Sequence, residues 1–355
     1  MDSFSEGMKR PSIAYGHLYT LYSEVINEVK FSSNDHTGVL SKSGDLLFPG
    51  SSTVPFGTAQ TAAIMLDNVK LGGDIIIARA FNLQPHAPFV SYQINARKQK
   101  LYPITVGTTI THMYGSDLSK IEYNFASIEE QIIIGTFFET LDKLITLHQR
   151  KYERLKMIKE SMLQTMFPSE NETIPRIRFK GFTDPWEQCE LGNLYNFSKG
   201  KGLSLDSFSE GMKRPSIAYG HLYTLYSEVI NEVKFSSNDH TGVLSKSGDL
   251  LFPGSSTVPF GTAQTAAIML DNVKLGGDII IARAFNLQPH APFVSYQINA
   301  RKQKLYPITV GTTITHMYGS DLSKIEYNFA SIEEQIIIGT FFETLDKLIT
   351  LHQRK

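Results

Sequence analysis

The sequence predicts an α+β protein: two repeated α+β domains separated by two long helices packed as an antiparallel coiled coil. Three observations predict this. Residues 2–151 and 206–355 are identical letter for letter, at an offset of 204. Within each copy, a stretch rich in Gly, Pro, Thr and Ser gives way abruptly at Ser127, and again at Ser331, to an amphipathic run. The period of 204 residues far exceeds the roughly 20–50 residues of a solenoid unit, so each copy holds at least one domain.

Residues 1–126 form the first domain. Short apolar runs between turn residues, GDLLFPG at Gly44–Gly50 and GGDIIIARAF at Gly72–Phe81, read as its strands. Residues 127–167, SIEEQIIIGTFFETLDKLITLHQRKYERLKMIKESMLQTMF, read as one helix. Ser127 and Glu130 make an S-x-x-E capping box, and Pro168 stops the helix. Ile134, Leu141, His148, Leu155 and Met162 recur at intervals of seven. Phe137, Leu144 and Ile158 follow at plus three, with Lys151 and Thr165 interrupting the seam. Such a helix spans about 60 Å at ~1.5 Å per residue. Packing of each helix on its own domain and antiparallel pairing between them both satisfy the pattern; the length favours pairing.

Residues 168–185 are a linker punctuated by Pro175, Gly181 and Pro185. The second domain covers 186–330 and opens with a strand and turn over Trp186–Phe197, while residues 331–355 repeat the first 25 residues of the long helix. One Met, 150, 54 and 150 residues account for the chain, as in a two-unit ring opened inside one connector. A recent duplication, a recombination product and an engineered tandem all explain the perfect identity. The segment Trp186–Leu205 precedes only the second copy. The first domain is therefore expected to lack a first strand and to expose a sheet edge unless another chain completes it.

Composition narrows the function. With 41% hydrophobic and 19% charged residues the chain is globular, and no apolar run approaches the roughly 18 residues of a membrane span. MDSFSEGMKRPS has no apolar core of a signal peptide. A single Cys189 forms no internal disulfide and fits a reducing cytoplasm. Lys+Arg 34 against Asp+Glu 35 gives a charge of −1, without the basic excess of a protein that neutralises DNA phosphates alone. No (N/D/S)PP(Y/F/W) motif, glycine-rich S-adenosylmethionine loop or G-x-x-x-x-G-K-[ST] loop occurs, which excludes a methyltransferase and an ATP motor. The ten His residues have no H-x-x-x-H spacing or Cys partners for zinc, and no G-x-S-x-G elbow supports a serine hydrolase. The chain reads as non-catalytic, without metal or cofactor.

The run IGTFFETLDKLITLHQRKYERLKMIKESMLQTMF from Ile134, followed by PRIRFKGFTDPWEQCELGNL and SKGKGLS, closely resembles the specificity subunit of Type I restriction–modification systems. GDLLF at Gly44 and GTTITHMYGSDL at Gly107–Leu118 are similar to patterns in that family's target-recognition domains. The resemblance covers essentially the whole chain. It implies two recognition domains, each reading half of a bipartite site in double-stranded DNA, held apart by antiparallel helices that dock two modification subunits. Restriction subunits can join the assembly, and S-adenosylmethionine, ATP and Mg belong only to the partner subunits. Those partners would also supply much of the phosphate contact that a neutral chain lacks. Identical domains predict an inverted-repeat site. The helical stretch common to both copies spans about 37 Å, about one turn of duplex between half-sites.

Polar residues suited to bases and phosphates supply the candidate contacts. Lys9, Arg10, Tyr15 and His17 form one cluster, repeated as Lys213, Arg214, Tyr219 and His221. Arg97, Lys98 and Lys100 in NARKQK form another, repeated as Arg301, Lys302 and Lys304. Lys199 and Lys201 occur only before the second copy. Ser51, Ser52 and Thr53 in GSSTVPFGT, with Ser255 and Thr257 in the second copy, are candidate phosphate contacts; solvated charges and an ordinary turn are the plainer reading of each cluster. Thr108, Thr109 and His112 match the family pattern and suit folding or backbone contact better than base choice. A protein-interaction scaffold working through its helices is the rival reading, and an enzyme in its own right a weaker one.

Overall fold

The computed structural model describes residues 4–5, 10–35, 37–54, 56–81, 84–203, 207–209, 214–258, 260–285 and 289–353. It divides into two compact units, Met1–Leu147 and His148–Lys355.

In the first unit the strands that frame the site are Val25–Ile26 (β1), Asp45–Pro49 (β2), Ser51–Ser52 (β3), Ala62–Ile64 (β4), Ile75–Ala78 (β5) and Thr111–His112 (β6), and Ala87–Ala96 forms helix α1. Four of them make a mixed sheet in the order β5-β2-β4-β1. β5 and β4 run antiparallel to β2, and β1 runs parallel to β4. Alternation along β2 sends neighbouring side chains to opposite faces. Leu47 joins Ile13, Leu18, Ile26 and Ile64, whereas Phe48 joins Phe89, Val90, Ile94, Leu101 and Met113. The buried carboxylate of Asp45 is forked by Arg79, with Nε and Nη2 each at 2.7 Å, which ties β5 to β2.

Helix α2 covers Ile128–Thr165. Ser127 Oγ accepts from Glu130 N at 3.3 Å, which is one arm of the expected capping box. Its first turns pack on their own domain. A Cβ at Gly135 would overlap the His86 ring, so only glycine lets the helix approach the start of α1 this closely. Gln131 Oε1 accepts from His86 N at 3.1 Å, and Tyr92 Oη donates to Asp142 at 2.6 Å.

The second unit adds what residues 186–199 provide: Glu187–Glu190 (β7) and Tyr195–Lys199 (β8), the strand and turn expected after Trp186. The further elements that frame its site are Val229–Ile230 (β9), Asp249–Pro253 (β10), Ser255–Ser256 (β11), Ala266–Ile268 (β12), Ile279–Ala284 (β13), Ala291–Ala300 (α3), Thr315–His316 (β14), Glu326–Phe329 (β15) and Ile332–Gln353 (α4). The sheet now has five strands, β8-β13-β10-β12-β9. β8 pairs antiparallel with β13 from Tyr195↔Ala284 to Lys199↔Ile280, and β7 with β15 from Glu187↔Phe329 to Glu190↔Glu326.

Within this unit the last part of α2 and α4 run antiparallel. His148 meets His352, Lys159 bridges Asp346 at 2.7 Å and Glu228 at 3.0 Å, and Phe167 stacks on Phe342 at 5.8 Å. Burial alone would lower the Lys159 ammonium, but Glu228 and Asp346 outweigh it and hold its pKa above the usual lysine value. Of the expected heptad residues, Leu155 and Met162 pack on the core, while Phe137, Leu141, Leu144 and Ile158 remain exposed. The other arm of the second capping box is replaced: Glu334 turns inward to Arg178 at 2.7 and 2.8 Å and to Trp186 Nε1 at 3.1 Å. Among the described residues no helix is long and apolar enough to cross a membrane.

Candidate nucleic-acid interface

The structure sorts the sequence candidates into committed and presented groups. Lys9 and Lys213 lie outside the described residues. Arg10 and Arg214 are exposed on the loops before the short strands Ser12–Ile13 and Ser216–Ile217. Tyr15 and Tyr219 are partly exposed, with rings 6.3 and 6.4 Å from those of Tyr19 and Tyr223.

His17 and His221 do not belong with them. Nδ1 of each accepts a backbone N–H, from Ala14 and Ala218, at 3.2 Å. The rings stack on Phe31 at 4.8 Å and Phe235 at 5.0 Å. The histidine read with Lys9, Arg10 and Tyr15 as one polar loop cluster, and its repeat, instead lie on an aromatic face. Burial pushes both below the usual histidine value, which favours the neutral ring. The unfolded chain then binds more protons than the folded one below the unfolded pKa near 6.5. This contribution to stability is full above that pH and lost as pH falls toward the folded pKa. Thermal melts between about pH 7.5 and 5 should show a falling midpoint, and His17→Leu with His221→Leu should flatten the slope.

Ser51 and Ser255 are likewise committed. Each is buried in a two-residue strand and donates to an aspartate, Ser51 to Asp74 and Ser255 to Asp278 at 2.7 Å. β3 pairs with β6 through Ser51↔His112 and Ser52↔Thr111, and Ser52 Oγ bonds within the turn to Val54. Of the residues expected here, Thr53 and Thr257 are the ones exposed at the turn.

The basic triplet divides too. Lys98 and Lys302 are exposed. Lys100 and Lys304 donate to the carbonyls of Glu122 and Glu326 at 2.7 Å and lie over Tyr123 and Tyr327. Burial lowers the Lys304 ammonium. Arg97 is exposed, but its twin Arg301 is not available to a base. Its guanidinium donates to Gln164 O at 2.9 Å, Phe167 O at 2.5 Å and Pro168 O at 2.9 Å, serving the orphan carbonyls and negative end of α2. Lys199 stays exposed, 3.6 Å from Asp278 and 6.0 Å from the Tyr318 ring centre, and Lys201 is exposed.

Three loops come together in each unit. Phe56 lies on the Tyr102 ring at 4.3 Å, joining the Thr53 turn to the Lys98–Ile104 segment. Thr111 Oγ1 donates to Ser52 O at 3.2 Å, joining the hairpin that carries Thr108 and Thr109. The second unit repeats this with Phe260 on Tyr306 at 4.5 Å and Thr315 on Ser256 O at 3.2 Å. Val54, Phe56, Val106, Ile110 and Tyr114 are all exposed, as are their twins Val258, Phe260, Val310, Ile314 and Tyr318. Phe56 and Phe260 hold a left-handed backbone, φ 56° in both, a strained conformation for an aromatic residue. Sequence reasoning missed this residue. The available signal was an aromatic inside VPFG, a turn otherwise made of Ser, Thr, Pro, Gly and one Val.

Each unit thus combines an α+β body with an exposed threonine–aromatic loop cluster, and a long helix follows each copy. The sequence profile of the Type I restriction modification DNA specificity domain matches residues 22–157 and 183–355. The chain belongs to that family. A curated relative, the type I specificity subunit S.MgeORF438P of Mycoplasma genitalium, is 24% identical over 137 residues, 37% of this chain. The match spans only 35% of that relative's length. The crystal structure of a Type-I restriction-modification system S subunit from M. genitalium superposes with a TM-score of 0.62, at 14% identity, over 99% of this chain and 86% of that one. The HsdS subunit from Thermoanaerobacter tengcongensis gives 0.46 at 16% identity, over 97% and 84%.

Proposed function

We propose that this chain is the non-catalytic sequence reader of a Type I restriction–modification complex. Each recognition unit reads one half of a bipartite, palindromic site in duplex DNA. The helices fix the spacing and dock two modification subunits, which supply the methyl-transfer chemistry and much of the phosphate contact; restriction subunits join through them. Residues 1–126 and 186–330 are the two readers in this scheme, with helical residues 127–167 and 331–355 as the spacer.

One observation carries the reading: the same loop cluster, with exposed Thr53, Phe56, Lys98 and Thr108, recurs as Thr257, Phe260, Lys302 and Thr312. Threonine methyls and aromatic edges suit thymine methyl groups, and lysine suits guanine acceptors. Family membership supports the same role. Arg10, Tyr15 and Arg97 with their counterparts Arg214 and Tyr219, together with Lys199 and Lys201, complete the proposed contact set.

Methylation mapping of DNA modified by the assembled complex tests the proposal, since an inverted repeat with an unread spacer is required. Phe56→Ala combined with Phe260→Ala should lower specific DNA retention by on the order of 10-fold per half-site, the scale of one lost base contact, with modification-subunit binding intact. Unchanged retention would leave the helices as the working part and the scaffold reading in its place.

A further inference from the structure

Phe56 and Phe260 are held out from their turns at a conformational cost. Each has φ 56°, a backbone that glycine adopts freely and an aromatic residue does not. The turn is closed around it: Gly57 N donates to Val54 O and Ala59 N to Phe56 O, both at 2.9 Å, and Thr58 Oγ1 meets Thr105 Oγ1 at 3.4 Å. The same bonds recur in the second unit at the same distances, from Gly261 N to Val258 O, from Ala263 N to Phe260 O, and between Thr262 and Thr309. Tyr102 backs one side of the Phe56 ring at 4.3 Å and Tyr306 backs Phe260 at 4.5 Å, yet the two phenylalanines are 55% and 57% exposed. Val54, Val106 and Ile110, exposed in the loops that meet at Phe56, add apolar surface without hydrogen-bond donors.

Duplex DNA offers such a surface few partners. Phosphates and base edges are polar, and covering them with apolar side chains desolvates them without a hydrogen bond in return. The largest apolar surface in the duplex is the face of a base, which stays hidden while the stack is closed. We propose that Phe56 and Phe260 are wedges: each ring inserts between two adjacent base pairs from the minor groove, opens the step and stacks on the uncovered base. The minor groove suits the aliphatic neighbours because deoxyribose forms its walls. A ring fixed in advance by a closed turn enters with little loss of freedom. Opening is easiest at pyrimidine–purine steps, so each half-site should hold one where the ring enters. This insertion rests on the DNA-reading role proposed above and adds how one position is read, through the ease of opening a step and without a hydrogen bond to a base.

The probe is a duplex carrying the site found by methylation mapping, bound by the full chain with its modification subunits. Permanganate oxidation reports unstacked thymines. One thymine per half-site, in a pyrimidine–purine step away from the methylated base pair, should become several-fold more reactive. Phe56→Gly with Phe260→Gly should abolish that reactivity and weaken specific retention by on the order of 10-fold per half-site. Because glycine suits φ 56°, the same pair should not lower the thermal midpoint. Phe56→Trp with Phe260→Trp should keep the reactivity and lose indole emission on binding, as the new rings stack on bases. Reactivity that survives the glycine pair, or is absent from a wild-type complex that methylates the site, overturns insertion and leaves base-edge reading standing. Unchanged emission from the tryptophan pair overturns insertion even if the glycine pair fails to fold. Absence of any specific site overturns the DNA-reading role and the wedge together.

Discussion

Phe342→Ala should destabilise the second unit by about 3–5 kcal/mol, the range for truncating a fully buried phenylalanine. The same substitution 204 residues earlier, Phe138→Ala, should cost the first unit about 1 kcal/mol or less. Phe342 is 0% exposed, packed against Phe167 at 5.8 Å and Tyr296 at 5.0 Å. Phe138 lies on Tyr92 at 5.2 Å with its other side in solvent. Truncation at 342 leaves a cavity that Phe293 and Trp186 cannot close, whereas truncation at 138 removes surface that water already wets. Native-state hydrogen exchange over α3 and α1 measures the two costs separately, unit by unit. Equal losses in the two units would contradict the asymmetry of the cores.

Arg178→Ala should cost the second unit about 3–5 kcal/mol, because it strands the Glu334 carboxylate in a dry site with only the Trp186 indole N–H as donor. Glu334 is 0% exposed and Arg178 12%, so solvent offers little relief. Replacing both partners, Arg178→Met with Glu334→Leu, should recover most of the loss, since a buried ion pair contributes less than its breakage costs. Glu130→Ala should change the first unit by no more than about 0.5 kcal/mol. Urea unfolding of the single and double variants, followed by Trp186 fluorescence, reads this cycle directly. A double variant as unstable as Arg178→Ala would mean that the charges themselves, and not their mismatch, hold the linker.

Much of the fold is legible because its signals are local. Repeat identity fixes two like units, heptad spacing and Pro168 delimit α2, and the turn residues around GDLLFPG bracket β2. The side-chain roles are less legible because they depend on contacts far along the chain. Arg97 and Arg301 have the same neighbours in sequence, yet only Arg301 meets the carbonyls of Gln164 and Phe167. His17 reads as a polar loop residue until Phe31, fourteen positions on, provides a ring to lie on. Ser51 suits a phosphate until Asp74 takes its proton-donating bond. Phe56 counts as ordinary apolar content in a composition, and only the left-handed backbone with the ring turned outward marks it.

The contact between His148 and His352, with Nδ1 atoms 3.0 Å apart, has an outcome at the level of the gene. A substitution made in both copies alters both sides of that joint together, whereas one made in a single copy alters one side. Aspartate in both would oppose two like charges, while aspartate in one would give the remaining imidazole a counter-ion. The joint is therefore its own mirror, and drift in either copy registers there as an asymmetry.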